Sequence, residues 1–391
     1  MRNLVNVLMT VIFFCSCQST NKNVNSQEPN SQTSQVQNSE AVFSWPIQMQ
    51  LLTAQFGEVL PLLSEPSKIQ SPESKKDIQL KLERIKTLAH NINEKTVRPD
   101  KDPSIKFISD RFEENIGLAL ESFQSGHYDF ARSVYKNAMS QCVQCHTRME
   151  IGPSLSNPNF VKSIQNISIV ERIQLLIASR YFEDAINEIN SAFSNGESLS
   201  IVAWQKLVQL GFVLHVRYKG DVKGAENFVT QLSKNSHLPY FIKRNLEFWN
   251  ASLKTWKDSP QGTPSLKVAN DLISKAEKLQ KDSRSEGGTV DFLRGAHLLH
   301  QFLAKEKPNP IKAQALYHLG LIYENVSEIG AWSMNEDYYE LCVRIDPHTE
   351  ISQKCFARYQ ESLISGYSGT SGLYLPQDVQ KKLNELRAIA L

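Results

Sequence analysis

Between Ser44 and Met149 apolar residues recur every three or four positions, the period of a helix that buries one face. Trp45, Met49, Leu52, Phe56, Val59 and Leu63 predict a first helix, and Ile78, Leu82, Ile85, Ala89 and Ile92 a second. Ile105, Ile108, Phe112, Ile116, Ala119 and Phe123 predict a third, and the run from His127 through Val134, Ala138 and Cys142 a fourth. Breaker-rich segments divide them at Ser64 to Pro66, at Val97 to Pro103 and at Ser125-Gly126. Such short connections imply antiparallel neighbours. From Pro153 to Leu391 amphipathic helical stretches again alternate with turns, and no period-two strand pattern is evident. The expected fold class is therefore all-α: an antiparallel four-helix bundle over residues 43–152, then a second helical domain over residues 153–391.

The first residues follow a different pattern. Arg2 precedes an apolar run from Leu4 to Phe14, too short to span a bilayer but suited to the core of a signal peptide. The run ends in Cys15-Ser16-Cys17, which resembles the lipobox of bacterial lipoproteins. That resemblance implies a signal over residues 1–16, acylation of Cys17, and a mature protein held at a membrane of the bacterial cell envelope, facing the periplasm. Gln18 resembles the residue that sorts such proteins to the outer membrane. Residues 17–42 are dominated by Ser, Asn and Gln and predict a disordered tether.

Composition narrows the function classes. With 41% apolar residues in 391, the chain can bury a substantial core. Lys plus Arg (43) nearly balance Asp plus Glu (41) without a basic cluster, which argues against a nucleic-acid partner. No phosphate-cradling glycine loop and no Ser-His-Asp order can be read from the pattern, so hydrolytic and nucleotide chemistry have no support.

The candidate chemistry is Cys142-Val-Gln-Cys145-His146, a C-x-x-C-H motif. In it both thiols add to the vinyl groups of one haem and the adjacent imidazole becomes the proximal iron ligand. A structural zinc site would need four ligands, and no second cysteine pair lies within reach. A thioredoxin-like dithiol would need a preceding strand, whereas a long helix precedes this one. A motif in the last turn of a fourth helix resembles the class II cytochromes c, four-helix bundles of the cytochrome c′ type, over about residues 43–150. The resemblance implies one covalent haem c, with Cys142 and Cys145 as thioether positions and His146 as axial ligand. It departs just downstream, where Thr147-Arg148-Met149-Glu150 stands in place of the family's aromatic and arginine, so no propionate partner carries over.

In an up-down-up-down bundle the start of helix 1, the end of helix 2, the start of helix 3 and the end of helix 4 share one level. Met49 lies there on the core stripe and is the candidate sixth iron ligand; packing the core beside five-coordinate iron is the alternative. Trp45, Leu52 and Phe107, at the same level, are candidates for the apolar wall. His90 lies one position off the stripe and reads as solvated, His127 lies at the opposite end, and Met139, about 10 Å along helix 4 from His146, reads as unable to reach the distal side.

Farther on, Arg180 to Ala185 resembles the turn of a tetratricopeptide unit. Leu316, Leu319-Gly320 and Tyr323, followed by Tyr338 to Pro347, resemble that repeat's signature, in which a small residue lets paired helices approach and a proline ends the second. The spacing requires an insertion near Gly330, and the resemblance implies a degenerate α-solenoid. His297 and His300 could share a helix face, as metal ligands or as packing residues. Cys342 and Cys355 flank the turn at Pro347, and their pairing is left open by spacing. The expected function is electron transfer to or from a redox protein partner docked by the second domain. A five-coordinate gas or peroxide sensor or peroxidase, and a scaffold without a redox role, are the alternatives.

Overall fold

A computed structural model describes residues 44–391 apart from 65–68, 70, 96–101, 149–159, 195–198, 260–262, 284–285, 306, 327–333 and 371. The expected signal and tether with Cys17, Met149, the assumed insertion near Gly330 and the side chain of Trp45 lie outside the described residues.

The amphipathic stripes become helices with the expected faces inward. Helices α1 (Trp45–Ser64), α2 (Pro72–Lys95), α3 (Ser104–Gln124) and α4 (Tyr128–His146) each pack on the next, and α1 also meets α4. Leu52, Phe56, Val59 and Leu63 of α1, Ile78 to Ile92 of the α2 stripe, and Phe112, Ile116 and Ala119 of α3 are buried together with Val134, Tyr135 and Ala138 of α4. Tyr135 closes the set: its hydroxyl donates to the Phe56 carbonyl at 3.2 Å and its ring stacks on Phe56, centroids 4.4 Å apart. Between α3 and α4 the chain turns at Gly126, whose φ of 83° suits a residue without Cβ.

The chain continues through the short α5 (Phe160–Ser163) into α6 (Ile169–Ala178), α7 (Phe182–Ser194) and α8 (Ile201–Phe212), which runs into a π-helical turn, Val213–Tyr218. Then come α9 (Val222–Lys234), α10 (Tyr240–Asp258), α11 (Leu266–Ser283), α12 (Thr289–Leu303), α13 (Asn309–Asn325), α14 (Met334–Ile345), α15 (Glu350–Tyr367) and α16 (Gln377–Ala390). Polar N-caps start several of them: Ser168, Ser200, Asp221 and Thr349 each accept a backbone N–H of the first turn. Among the described residues the only strands are the two-residue pair Ser368–Gly369 and Gly372–Leu373, so the fold is all-α.

Gly320 of α13 shows why a small residue stands there. A Cβ on it would lie 2.3 Å from the Tyr339 ring of α14, and α13 and α14 make the most extensive helix contact among the described residues. The cysteine pair left open by spacing is joined: Cys342 of α14 and Cys355 of α15 form a disulfide with Cα atoms 6.2 Å apart. The corner between them is tight, with His348 left-handed at φ 57°. The described residues belong to one compact unit, Phe43–Leu391, in which α4 packs on α6 and α3 touches α14. No described helix is long and apolar enough to cross a membrane.

Candidate functional site

The last turn of α4 presents Cys142, Cys145 and His146 to one cleft because positions three and four apart share a helix face. Thr147 caps the turn: its N–H and its hydroxyl both donate to the Val143 carbonyl, at 3.1 and 2.6 Å. The cleft holds a cavity of about 90 Å³ that is partly open to solvent. Its walls are Met49, Leu52, Thr53 and Phe56 from the start of α1, Ile92 from the end of α2, Ile105, Ile108, Ser109 and Phe112 from the start of α3, and the motif itself.

Four helix ends thus meet at one level, and a fifth joins them. Leu175 and Ala178, at the C-terminal end of α6, complete the lining. Burial, with the Arg180 charge, pushes the His146 pKa down to about 4, against the opposing pull of the Ile177 and Ala178 carbonyls. The imidazole is therefore neutral near pH 7. Its Nδ1 is buried with no hydrogen-bond partner. Both thiols are free and partly buried. Burial, reinforced by Cys145, pushes the Cys142 thiol up to about 12, and burial also raises Cys145. A reactive dithiol needs stabilised thiolate, and this environment disfavours it.

The individual candidates fall as follows. Met49 is half-buried and lines the cleft from α1, the helix facing α4; Leu52 lines it too, from the core. Phe107 does not belong to it. It lies in a polar groove on the outer face of α3 with the Arg111 guanidinium 5.6 Å from its ring. The reason is angular: at about 100° per residue, Ile105, Ile108 and Phe112 face inward and Phe107 is carried off that stripe. Met139, expected not to reach the distal side, is fully buried and its side chain lines the cleft. Distance along an axis says nothing about which way a long side chain leans. His90 is exposed and pairs with Glu113 at 2.8 Å, and His127 is exposed at the far end of α4. His297 and His300 are buried in packing: His297 Nδ1 bonds the Arg217 carbonyl at 2.7 Å and His300 Nε2 the Tyr323 hydroxyl at 3.2 Å. Among the described residues no group of three His, Cys, Asp or Glu is placed to hold a metal ion.

Sequence reasoning missed the polar layer behind the motif. Arg148 turns away from the cleft, donating to Asp102 Oδ2 at 3.5 Å, to the Ser104 hydroxyl and to the Tyr338 hydroxyl. Arg217, fully buried on the π-helical turn, donates to Gln144 Oε1 at 2.5 Å, to the Tyr323 hydroxyl at 2.8 Å and to the Thr147 hydroxyl. These forks tie the motif turn to α13 and α14. A usable signal existed for Arg217, an arginine inside the apolar run Leu207 to Tyr218. For Asp102, Tyr323 and Tyr338 there was none. The motif turn, the apolar cleft and its polar backing rest on this geometry alone: no family model, curated protein or solved structure matches the chain.

Proposed function

We propose that the chain is a c-type haemoprotein that transfers electrons. The observation that carries the reading is that Cys142, Cys145 and His146 line one apolar cleft, with two unpaired thiols and a buried imidazole nitrogen that has no partner. A buried imidazole nitrogen with no hydrogen-bond partner is what a metal-ligating histidine offers a metal. The donor set fits haem c: Cys142 and Cys145 would hold it through thioether links and His146 would ligate its iron. When bound, the group supplies one-electron transfer between ferric and ferrous iron.

The chain's own residues do the rest. Burial keeps His146 neutral and so able to ligate. Leu52, Phe56, Ile105, Ile108 and Phe112 give the cleft apolar walls. Met49, on the facing helix, is the proposed sixth ligand, which raises the potential and leaves no position open for substrate. In this reading α1 to α4 are a cytochrome c′-like bundle, and the later helix pairs, of which α13 and α14 packed across Gly320 are the clearest, are a tetratricopeptide-like region that docks the redox partner. Cys17 carries the lipid anchor at the periplasmic face of the bacterial envelope.

The test is a pyridine haemochrome assay with mass spectrometry of the peptide holding Cys142 and Cys145, on full chain from a host that matures haem c. One haem per chain and a haem-sized adduct on that peptide are expected. Absence of the adduct from natively expressed protein ends the proposal.

A further inference from the structure

Every hydrogen-bond partner of the fully buried Arg217 guanidinium is neutral. One Nη donates to Gln144 Oε1 at 2.5 Å and to the Tyr323 hydroxyl at 2.8 Å, the other donates to the Thr147 hydroxyl, and Nε is buried with no hydrogen-bond partner. Among the described residues Arg217 forms no ion pair; Asp102, the carboxylate buried beside this layer, is held by Arg148 at 3.5 Å. Two buried guanidinium groups thus share one carboxylate, and the layer behind the motif holds one positive charge in excess. Taking a lone charge out of water is costly, and buried ions are ordinarily paired, so an uncompensated arginine has to return something.

The fold fixes this charge from both ends. Arg217 lies on the π-helical turn, where Lys219 N–H reaches back five residues to the Leu214 carbonyl at 3.0 Å, a geometry that recurs at functional sites. The Arg217 carbonyl accepts from His297 Nδ1 at 2.7 Å, which anchors its backbone on α12. At the other end the guanidinium grips the motif turn itself. Gln144 stands between Val143 and Cys145, and Thr147 directly follows His146, so two hydrogen bonds bracket the imidazole position in the chain. The Tyr323 ring, 5.9 Å from the guanidinium, closes the seat from α13.

We infer that Arg217 is a positioning residue whose uncompensated charge, fastened to the motif turn, raises the reduction potential of an iron centre held by His146. The inference rests on the haemoprotein reading. Ferric iron carries one more positive charge than ferrous, so a fixed cation disfavours the ferric state by Coulomb repulsion, and a buried cation is screened by salt much less than a surface one.

The test compares full-length wild type with Arg217→Met, Gln144→Met and Gln144→Glu. R217M removes the cation, Q144M breaks one of its hydrogen bonds but keeps it, and Q144E gives it a carboxylate of nearly the same shape as the amide it replaces. Spectroelectrochemical titration should show the ferric-to-ferrous ratio at fixed ambient potential rising about tenfold in R217M and in Q144E, equal to a midpoint about 59 mV lower. Q144M should stay within about twofold of wild type. A merely structural arginine would move Q144M along with R217M and leave Q144E, which keeps the contact, at the wild-type value. The inference falls if R217M or Q144E stays within about twofold of wild type, or if Q144M shifts as far as R217M.

A second readout needs neither haem nor a folded R217M. In chain expressed without haem maturation, Q144E should show a urea midpoint no lower than wild type, because the new carboxylate meets an unpaired buried charge. A Q144E midpoint below wild type would show that Arg217 already has its counter-charge and overturns the inference. Chain that passes this readout, yet carries no haem adduct when natively expressed, overturns the redox role while leaving the excess charge located.

Discussion

Met49 is the residue on which the proposed coordination in the cleft turns. Met49 lines the cleft from α1, and nothing else on that helix at the same level offers an iron ligand. Met49→Ala should therefore give a chain whose ferrous form binds carbon monoxide, while wild type does not; tight binding by wild type would favour five-coordinate iron and the sensor reading. At this scale the sequence was informative where chemistry is written in adjacent residues, as in Cys142, Cys145 and His146. It did not place Met139 in the cleft and expected Phe107 there, because a side chain's direction depends on the helix phase and on neighbours that are remote in sequence.

Among the elements, the α13–α14 pair shows how one missing atom can set a helix contact. Alanine in place of glycine usually gains about 1 kcal/mol of helix propensity. Here the added Cβ would meet the Tyr339 ring at 2.3 Å, and Tyr339 is fully buried with its hydroxyl held by Glu324 at 2.6 Å, so the ring cannot swing aside freely. Overpacking of this kind costs about 1–3 kcal/mol, which exceeds the propensity gain. Gly320→Ala should lower the urea midpoint, and a raised midpoint would show that the helices can part without cost. The stripes of α1 to α4 were legible because helical periodicity is a local property. The fifth element of the site, α6, was not, since its amphipathic pattern says only that one face is buried and not against what.

For the whole molecule, buried polar groups connect the motif turn to α12, α13 and α14 through Arg148, Arg217, His300, Tyr323 and Tyr338. Burial leads the causes that depress His215, His297, His300 and His318, while it raises Asp337 to about 7 against the pull of Arg111. A histidine depressed in the folded state binds fewer protons there than when unfolded, so its contribution is present above the ordinary value of 6.5 and is lost as pH falls. Asp337 works in the opposite sense, folding more favourably as it gains its proton below about 7. Four groups against one predict that the urea midpoint falls between about pH 7 and about pH 5. A flat or rising profile would mean that these imidazoles keep ordinary proton affinity in the fold.

The sequence by itself determined the helical class, the stripes of the first four helices, their breakers and the adjacency of two thiols and an imidazole, because each is written within one or two turns of chain. Only the tertiary structure decided that α6 closes the cleft, that Met139 lines it and Phe107 does not, and that Cys342 pairs with Cys355. Those are contacts between segments far apart in the chain or orientations set by them, and they follow from how whole helices pack, which no local period encodes. The C-x-x-C-H motif thus pointed to a chemistry, and the packing around it supplied the apolar walls.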